Sequence, residues 1–229
     1  MKIKFMNKDK TIIYYTSNRE LPEFEERIKN NILKVCGGLS IISVSQKPID
    51  FGKNIVVGDV GASGFNMFRQ VLIGCKEAKT PFVISAEADC LCPPDYFTFV
   101  PEKDNICYRN SNTYLLGRRS DYFYKKHEGG TWAQVIGRDY YIKRLEELFE
   151  GAPEWSVEEK NFPKERGKGV DIFTPAQIER FETVSPCISI KSGKGMRHYS
   201  HSDKTPIYEL PYWGDGKALR AYYFLGIKK

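Results

Sequence analysis

The chain has 229 residues, 41% hydrophobic and 28% charged, the balance of an ordinary globular protein long enough to bury a substantial core. Thirty-five Lys and Arg against 29 Asp and Glu leave a formal net charge of +6. That mild excess favours an anionic partner without choosing among a sugar nucleotide, a nucleic acid and an acidic polymer. No apolar run approaches the roughly 20 residues of a membrane span, and the N-terminal MKIKFMNKDK has no apolar h-region, so neither a membrane span nor a secretory signal is expected.

TIIYYTSN, Thr11 to Asn18, is β-rich and ends in turn-forming polar residues, which predicts a buried first strand. LPEFEERIKNNILKVCGG then reads as a helix. Pro22 suits its first turn, and Glu23, Glu25 and Glu26 sit where the macrodipole favours negative charge. Phe24, Ile28 and Ile32 form the apolar stripe, and Gly37-Gly38 stop it. LSIISVSQKP predicts a second strand and NIVVGDV a short third. GASGFNMFRQVLIGCKEAK opens with glycines and becomes a helix with Phe65, Phe68, Leu72 and Cys75 on one face.

FVISAEADCLCPPDYF, residues 82 to 97, follows as a fourth strand that runs into Glu87 and Asp89 and closes on Pro93-Pro94. A strand–helix–strand, strand–helix–strand order implies parallel pairing with helices on the faces. Ligands of such open sheets bind beyond the carboxyl ends of the strands. The ends of strands one and four, Thr16-Ser17-Asn18 and Glu87-Ala88-Asp89, should therefore face one crevice.

The second half is less regular. NICYRN and TYLLGRR read as a β-hairpin about Ser111-Asn112. TWAQVIGRDYYIKRLEELFEG reads as one helix closed by Gly151, and APEWSVEEKNFPKERGKGV as a long surface loop. TPAQIERF predicts a short helix with a Thr174…Gln177 capping box and Pro175 at its first position. CISIKSGKGMRHYSHSD is a strand entering a loop rich in Gly, Lys and His. Basic residues gather in this half: Lys164, Arg166, Lys168, Lys191, Lys194, Arg197 and Lys204. The six cysteines show no CxxC or zinc-finger spacing. They are expected to be reduced and mostly buried, in a cytoplasmic protein. No linker composition divides the chain, so residues 1–229 are expected to form one domain.

Two carboxylates at i and i+2 on a strand end either cap the strand in solvent or hold a cation. Hard ions such as Mg²⁺ or Mn²⁺ take oxygen ligands and keep positions open for substrate phosphates. E-x-D alone is a weak signal; its place at the carboxyl edge of the predicted sheet raises its weight.

GASGFNMFRQVLIGCKEAKTPFVISAEADCLCPPDYF resembles the small bacterial and phage glycosyltransferases of the GT-A fold. In those enzymes a helix with basic and polar residues precedes an acidic strand and a P-x-x-Y/F segment follows it. The resemblance covers residues 11 to 150 and is vaguer over 170 to 205. It implies an α/β fold with a mostly parallel central sheet flanked by helices, and a smaller acceptor-side β-hairpin and helix region. Residues 1–100 would be the nucleotide-sugar half, and residues 101–229 the acceptor half with a C-terminal loop. It also implies a Mn²⁺ or Mg²⁺ cofactor and a nucleoside diphosphate sugar donor, a UDP-sugar foremost.

By the same resemblance Asp89 is the main metal ligand, and Glu87 touches the ribose or reaches the metal through water. Thr16, Ser17 and Asn18 line the nucleotide, and Arg69 reaches the base or the diphosphate. A further ligand, commonly a His, comes in this family from a C-terminal loop, here IKSGKGMRHYSH with His198 and His201. Lys194 and Arg197 of that loop would meet the acceptor or the diphosphate. This chain departs from the pattern by having Lys191-Ser192 where relatives carry a His. Either His198 serves from deeper in the loop, or water or a diphosphate oxygen fills the position.

An inverting transferase needs a general base near the acceptor hydroxyl, for which Asp121, Glu128 and Asp139 are the candidates. Glu128, in KKHEGGTW, sits where the family places this residue, with His127 beside it to tune or replace it. A retaining enzyme needs no such base. The glycines of GDVGASG match no phosphate-loop fingerprint, so this segment reads as a flexible loop on the nucleotide side, and SGKG at 192 to 195 lacks the frame of a Walker motif. Tyr122, Tyr124, Trp132, Trp155, Tyr212 and Trp213 are candidate platforms for a sugar or a base.

The acceptor is expected to be a carbohydrate, or DNA with hydroxymethylated pyrimidines flipped out of the stack. The competing class is a non-catalytic nucleic-acid-binding α/β protein, with salt-dependent binding and no response to Mn²⁺. A nucleotidyltransferase is a distant third, because TSNRELPEF lacks the Gly-rich basic loop such enzymes carry.

Overall fold

Apolar β-branched runs alternate with amphipathic helices through the first 90 residues, and they fold as that pattern dictates. The computed structural model describes residues 9–127, 129–158, 172–191 and 205–227. Strand β1 (Lys10–Thr16) is buried along its whole length. It leads into helix α1 (Pro22–Val35), whose Phe24, Ile28 and Ile32 turn inward. Strands β2 (Ser40–Ser45) and β3 (Lys53–Val56) follow, then α2 (Gly64–Glu77), N-capped by the Ser63 hydroxyl, which accepts from Asn66 N. Phe65, Phe68, Leu72 and Cys75 form its buried face. Strand β4 (Phe82–Glu87) then enters beside β1.

Beyond β4 the chain changes sheet. Cys90–Leu91 forms a short strand, β5, and Pro93 and Pro94 start the five-residue helix α3 (Pro94–Thr98). Strands β6 (Cys107–Asn110) and β7 (Thr113–Gly117) follow, then β8 (Phe123–Lys125), β9 (Gln134–Gly137) and α4 (Arg138–Leu148). A 3₁₀ turn (Pro175–Gln177) opens β10 (Ile178–Phe181), and β11 (Cys187–Lys191) comes after it. Glu209–Leu210 and Gly214–Asp215, β12 and β13, make a small ladder before α5 (Gly216–Leu225).

The described strands form a seven-stranded sheet in the order β10-β6-β9-β4-β1-β2-β3 and a four-stranded sheet β5-β11-β7-β8. In the large sheet β9 alone opposes the others, pairing antiparallel with β4 and β6. The mostly parallel sheet flanked by helices is the expected α/β architecture. One apolar cluster joins α1, α5 and the small sheet to one face of the large sheet; a second packs α2 and α4 on the other.

Three local readings are corrected. Ser111-Asn112 joins strands of different sheets and no hairpin forms there. Ser111 N donates to Phe181 O, and Asn112 Nδ2 to Thr183 O, so the link is tied to the β10 side. The helix read over 131–151 begins at Arg138, because Val135 and Ile136 are drawn into the gap between β4 and β6. TPAQIERF turns once and then extends: Thr174 N donates to Gln177 Oε1 at 2.9 Å, as the capping reading expects. Ile178 to Phe181 then pair with β6.

Candidate active site

Strand β4 delivers Glu87 to the carboxyl edge of the large sheet, in register with Tyr15 of β1. Ala88 and Asp89 carry the backbone across to β5, so the two acids stand where the chain passes between sheets. Asp89 O accepts from Ile190 N at 2.7 Å, which ties that crossing to β11.

Each acid has its own partners. Tyr15 OH donates to Glu87 Oε1 at 2.7 Å. Burial, and then the neighbouring Asp89 carboxylate, push the Glu87 carboxyl up to about 7, against the pull of Lys191 and the Tyr15 bond. Asp89 Oδ2 accepts from Lys191 Nζ at 3.3 Å, an ion pair with both side chains largely sheltered. Its Oδ1 accepts from the Cys90 thiol at 3.2 Å. Lys126 is held below the usual lysine range by burial and by Lys191, while Glu87 pulls it back up.

The two carboxylates and the Cys90 sulfur lie within 4.8 Å of one another. Burial and the two acids hold the Cys90 thiol protonated, well above its usual range. Donating to Asp89 Oδ1, the thiol orients that carboxylate and is itself engaged. What remains is a pair of hard oxygen donors, which fits Mg²⁺ or Mn²⁺ with open positions for water and substrate oxygens.

The acids form one wall of an open cleft of about 170 Å³, which also takes Tyr15, Thr16, Ser17 and Glu20, the Gly61–Ser63 turn, and Asn66, Met67 and Gln70 of α2. It lies beyond the carboxyl ends of β1 and β4, where open α/β sheets bind ligands. Its size is below the roughly 300–1,000 Å³ of closed small-molecule pockets, so a donor seated here extends past the acids. Gln70 Nε2 donates to Thr16 O at 2.8 Å and Val44 O at 3.0 Å, holding the ends of β1 and β2 together. Asn66 Nδ2 donates to Val60 O, and its Oδ1 accepts from Ser156 N. Asn66 thereby ties the turn before α2 to the segment after α4.

Thr16, Ser17, Glu87 and Asp89 thus come together in the cleft. Asn18 does not line it: at φ 53° its Oδ1 accepts from Gln46 N and Lys47 N, bracing the turn after β2. Arg69, expected to reach the base or the diphosphate, is not among the residues that line the cleft. Asn66 and Gln70, four apart, share the cleft face of α2, and Arg69 lies one residue off it. Its Nη2 donates to Pro153 O at 2.8 Å, and its guanidinium rests 3.7 Å from the Phe149 ring centre.

Asp139 lies in the first turn of α4, two residues after Gly137, which pairs with Phe82 at the opposite edge of the sheet. The length of β4, six residues, separates it from Glu87 by about 17 Å at roughly 3.3 Å per residue. A base for chemistry at the acids is misplaced there, and Asp139 instead pairs with Arg138 at 2.8 Å. Asp121 accepts from Arg220. Glu128, Lys194, Arg197, His198 and His201 lie outside the described residues.

Tyr15, Gln70 and Asn66 were not singled out by the sequence reading. The alternation of β1 puts Tyr15 on a defined face, but the residue it meets depends on the β1–β4 register. Lys191 entered as one of the basic residues of the second half and as a departure from the expected His; the structure gives it Asp89 as a partner.

No protein-family model matches the chain, and no curated protein matches it. Among solved structures it is similar to the glycosyltransferase GlyE of Streptococcus pneumoniae TIGR4 at 11% identity, over 68% of this chain and 41% of that one, with a TM-score of 0.43. It is similar to S. aureus TarS 1–349, crystallised with UDP-GlcNAc, at 11% identity over 82% of this chain and 60% of that one, with a TM-score of 0.47. The inositol-1-phosphate CTP transferase of T. maritima also matches at 11% identity, over 82% of this chain and 91% of that one, with a TM-score of 0.48. The chain thus spans 41% and 60% of the two glycosyltransferase structures. These likenesses are of fold, and they include both sugar-transferring and nucleotide-transferring enzymes. No helix among the described residues is long and apolar enough to cross a membrane.

Proposed function

We propose that this chain is a metal-dependent glycosyltransferase that moves a sugar from a nucleoside diphosphate sugar, a UDP-sugar foremost, to an acceptor hydroxyl. One observation carries the reading: Glu87 and Asp89 converge where the chain leaves β4, in a cleft whose far side is the end of β1. The charged groups lining that cleft, Glu20, Glu87 and Asp89, are all acidic. A bare diphosphate is repelled by such a lining, and a divalent cation held by two of the acids reverses its sign.

Bound between Asp89 and Glu87, Mn²⁺ or Mg²⁺ would neutralise the charge that builds on a departing diphosphate. The chain's own groups prepare that position. Tyr15 orients Glu87, Cys90 orients Asp89, and Gln70 holds the nucleotide side of the cleft, where Thr16 and Ser17 meet the nucleoside. Lys191 neutralises Asp89, and its ammonium would also be within the region where a diphosphate would lie. Acceptors in this reading are carbohydrates or hydroxymethylated pyrimidines in DNA. The six cysteines, all buried and without disulfides, accord with a cytoplasmic setting.

A thermal-shift panel of UDP, GDP, CDP and their sugars, each with Mn²⁺ and with EDTA, tests this directly. One nucleotide should raise the melting temperature with Mn²⁺, and the rise should vanish with EDTA and in Asp89→Ala. Stabilisation by CTP with Mg²⁺ and by no nucleotide sugar would instead move the chain to nucleotide transfer. A protein indifferent to every nucleotide, yet binding DNA with steep salt dependence, would be a nucleic-acid-binding module.

A further inference from the structure

The small sheet carries one face away from the acids. Ser189 pairs with Cys90 and with Leu115, and Leu115 pairs with Tyr124. Residues directly opposite one another share a face, so Tyr124 stands on the same side of the sheet as Cys90, which touches Asp89. Two residues along β11, Lys191 pairs with Gly117. Tyr122 follows on one residue beyond the last pair of the β7–β8 ladder, Leu116 with Phe123. The isolated bridge between Phe123 and Ile207 brings Tyr208 beside Tyr122. Lys191, Gly117, Tyr122 and Tyr208 therefore form a line across the sheet, in which Gly117 contributes no side chain between the lysine and the tyrosines.

Tyr122, Tyr124 and Tyr208 meet edge to face at the end of that line, with Tyr122 5.1 Å from Tyr124 and 5.7 Å from Tyr208 between ring centres. Tyr208 is 59% exposed, a large aromatic surface left open beside two others. We propose that these three tyrosines are a binding subsite for a sugar ring of the acceptor, which makes the acceptor a neutral oligosaccharide bound along the small sheet. The proposal rests on the glycosyltransferase reading for the word acceptor, but the subsite itself does not.

Three features favour this ligand. A sugar ring presents a face of C–H groups that packs on an aromatic ring, while its rim of hydroxyls meets phenolic O–H groups. The shelf is neutral: the Tyr122 hydrogen bond keeps the Tyr124 hydroxyl protonated up to about 12. A nucleic acid needs cations for its phosphates, and most of the described cations nearby are engaged. Arg220 is held by Asp121 at 2.5 Å, Arg118 lies over Phe224, and Lys191 pairs with Asp89. Lys125 points to the other face of the strand from Tyr124; Lys126, on the face of Tyr124, is half-buried near Glu87 and Lys191, and Arg119 stands in the turn. Three strand spacings separate β5, which adjoins the acids, from β8, about 14 Å, so a ring on the shelf and a ring at the acids belong to one short chain and not to a monosaccharide.

A printed array of neutral glycans of one to four residues, read with the whole protein, gives the test. Binding to oligosaccharides and not to monosaccharides is expected. The bound glycan's affinity should fall roughly fivefold to tenfold in Tyr208→Ala and hold in Tyr208→Phe, while the melting shift with UDP and Mn²⁺ stays unchanged in both. No glycan bound, or equal binding by Tyr208→Ala, overturns the subsite. So does a single-stranded DNA oligomer whose binding is lost in Tyr208→Ala when no glycan binds. Glycan binding without any nucleotide shift would keep the shelf and remove the transferase reading; a nucleotide shift without glycan binding would do the reverse.

Discussion

Glu87 and Asp89 are one residue apart and meet unlike surroundings. Glu87 is pushed up to about 7 by burial and by its neighbour, whereas Asp89 shares its charge with an ammonium. The folded chain thus keeps a proton on Glu87 that the unfolded chain releases near 4.3. More protons are bound folded than unfolded, so without metal the stability falls as pH rises from about 4.3 to 7, by an amount on the order of 3 kcal/mol. Melting in EDTA should therefore be higher at pH 5.5 than at pH 8, and Glu87→Gln should flatten the difference. Tyr15→Phe keeps the ring and removes the donor to Glu87, which raises that carboxyl further. Mn²⁺ affinity at pH 7 should fall roughly tenfold, measured by titration calorimetry, with the fold unchanged.

Among elements, β9 shows where sequence reading reaches its limit. Strands β1, β2 and β4 and helices α1 and α2 were legible because their periodicity, caps and breakers agree with what they bury. Gln134–Gly137 adjoins a strongly helical stretch, and nothing local marks it as a strand. Its conformation is set by β4 and β6 on either side, which is information held more than 20 residues away. Gly137 carries the trace of this: a Cβ there would sit 1.7 Å from Asp104 O. Gly137→Ala should cost about 3 kcal/mol or more, visible as a lowered urea midpoint, although alanine is the better helix former. The same limit applied to the site. The edge position of the acids was legible, but that Arg69 meets Pro153 O and that Asn18 braces the turn after β2 was not, because a helix face and a turn brace depend on the partner segment. Asn18→Gly should retain the positive φ and lose the acceptor for Gln46 N and Lys47 N, a loss of about 1–2 kcal/mol. Asn18→Ala should lose more, by the added strain; chemical denaturation of both variants gives the comparison.

Over the whole molecule, the chain passes between the two sheets several times, and the candidate site sits on the crossing from β4 to β5. One side of the crossing is local in sequence: β1, α1, β2, α2 and β4 pack within the first 90 residues. The other side is β11, about a hundred positions later, which supplies Ile190 N and Lys191 Nζ to Asp89. Closing so long a loop costs entropy before any contact repays it. In pulse-labelled hydrogen exchange during refolding, amides of β1, β2 and β4 should therefore gain protection before that of Ile190; simultaneous protection would contradict this order.

That late contact has a consequence during synthesis. The N-terminal strands leave the ribosome first and fold as they emerge, yet Asp89 lacks its backbone and ammonium partners until residue 191 has cleared the exit tunnel. A nascent chain can therefore bury its first strands long before it holds a competent cation site. An incomplete copy, stalled or cut short before β11, would carry Asp89 without the Ile190 N–H and the Lys191 ammonium that position it.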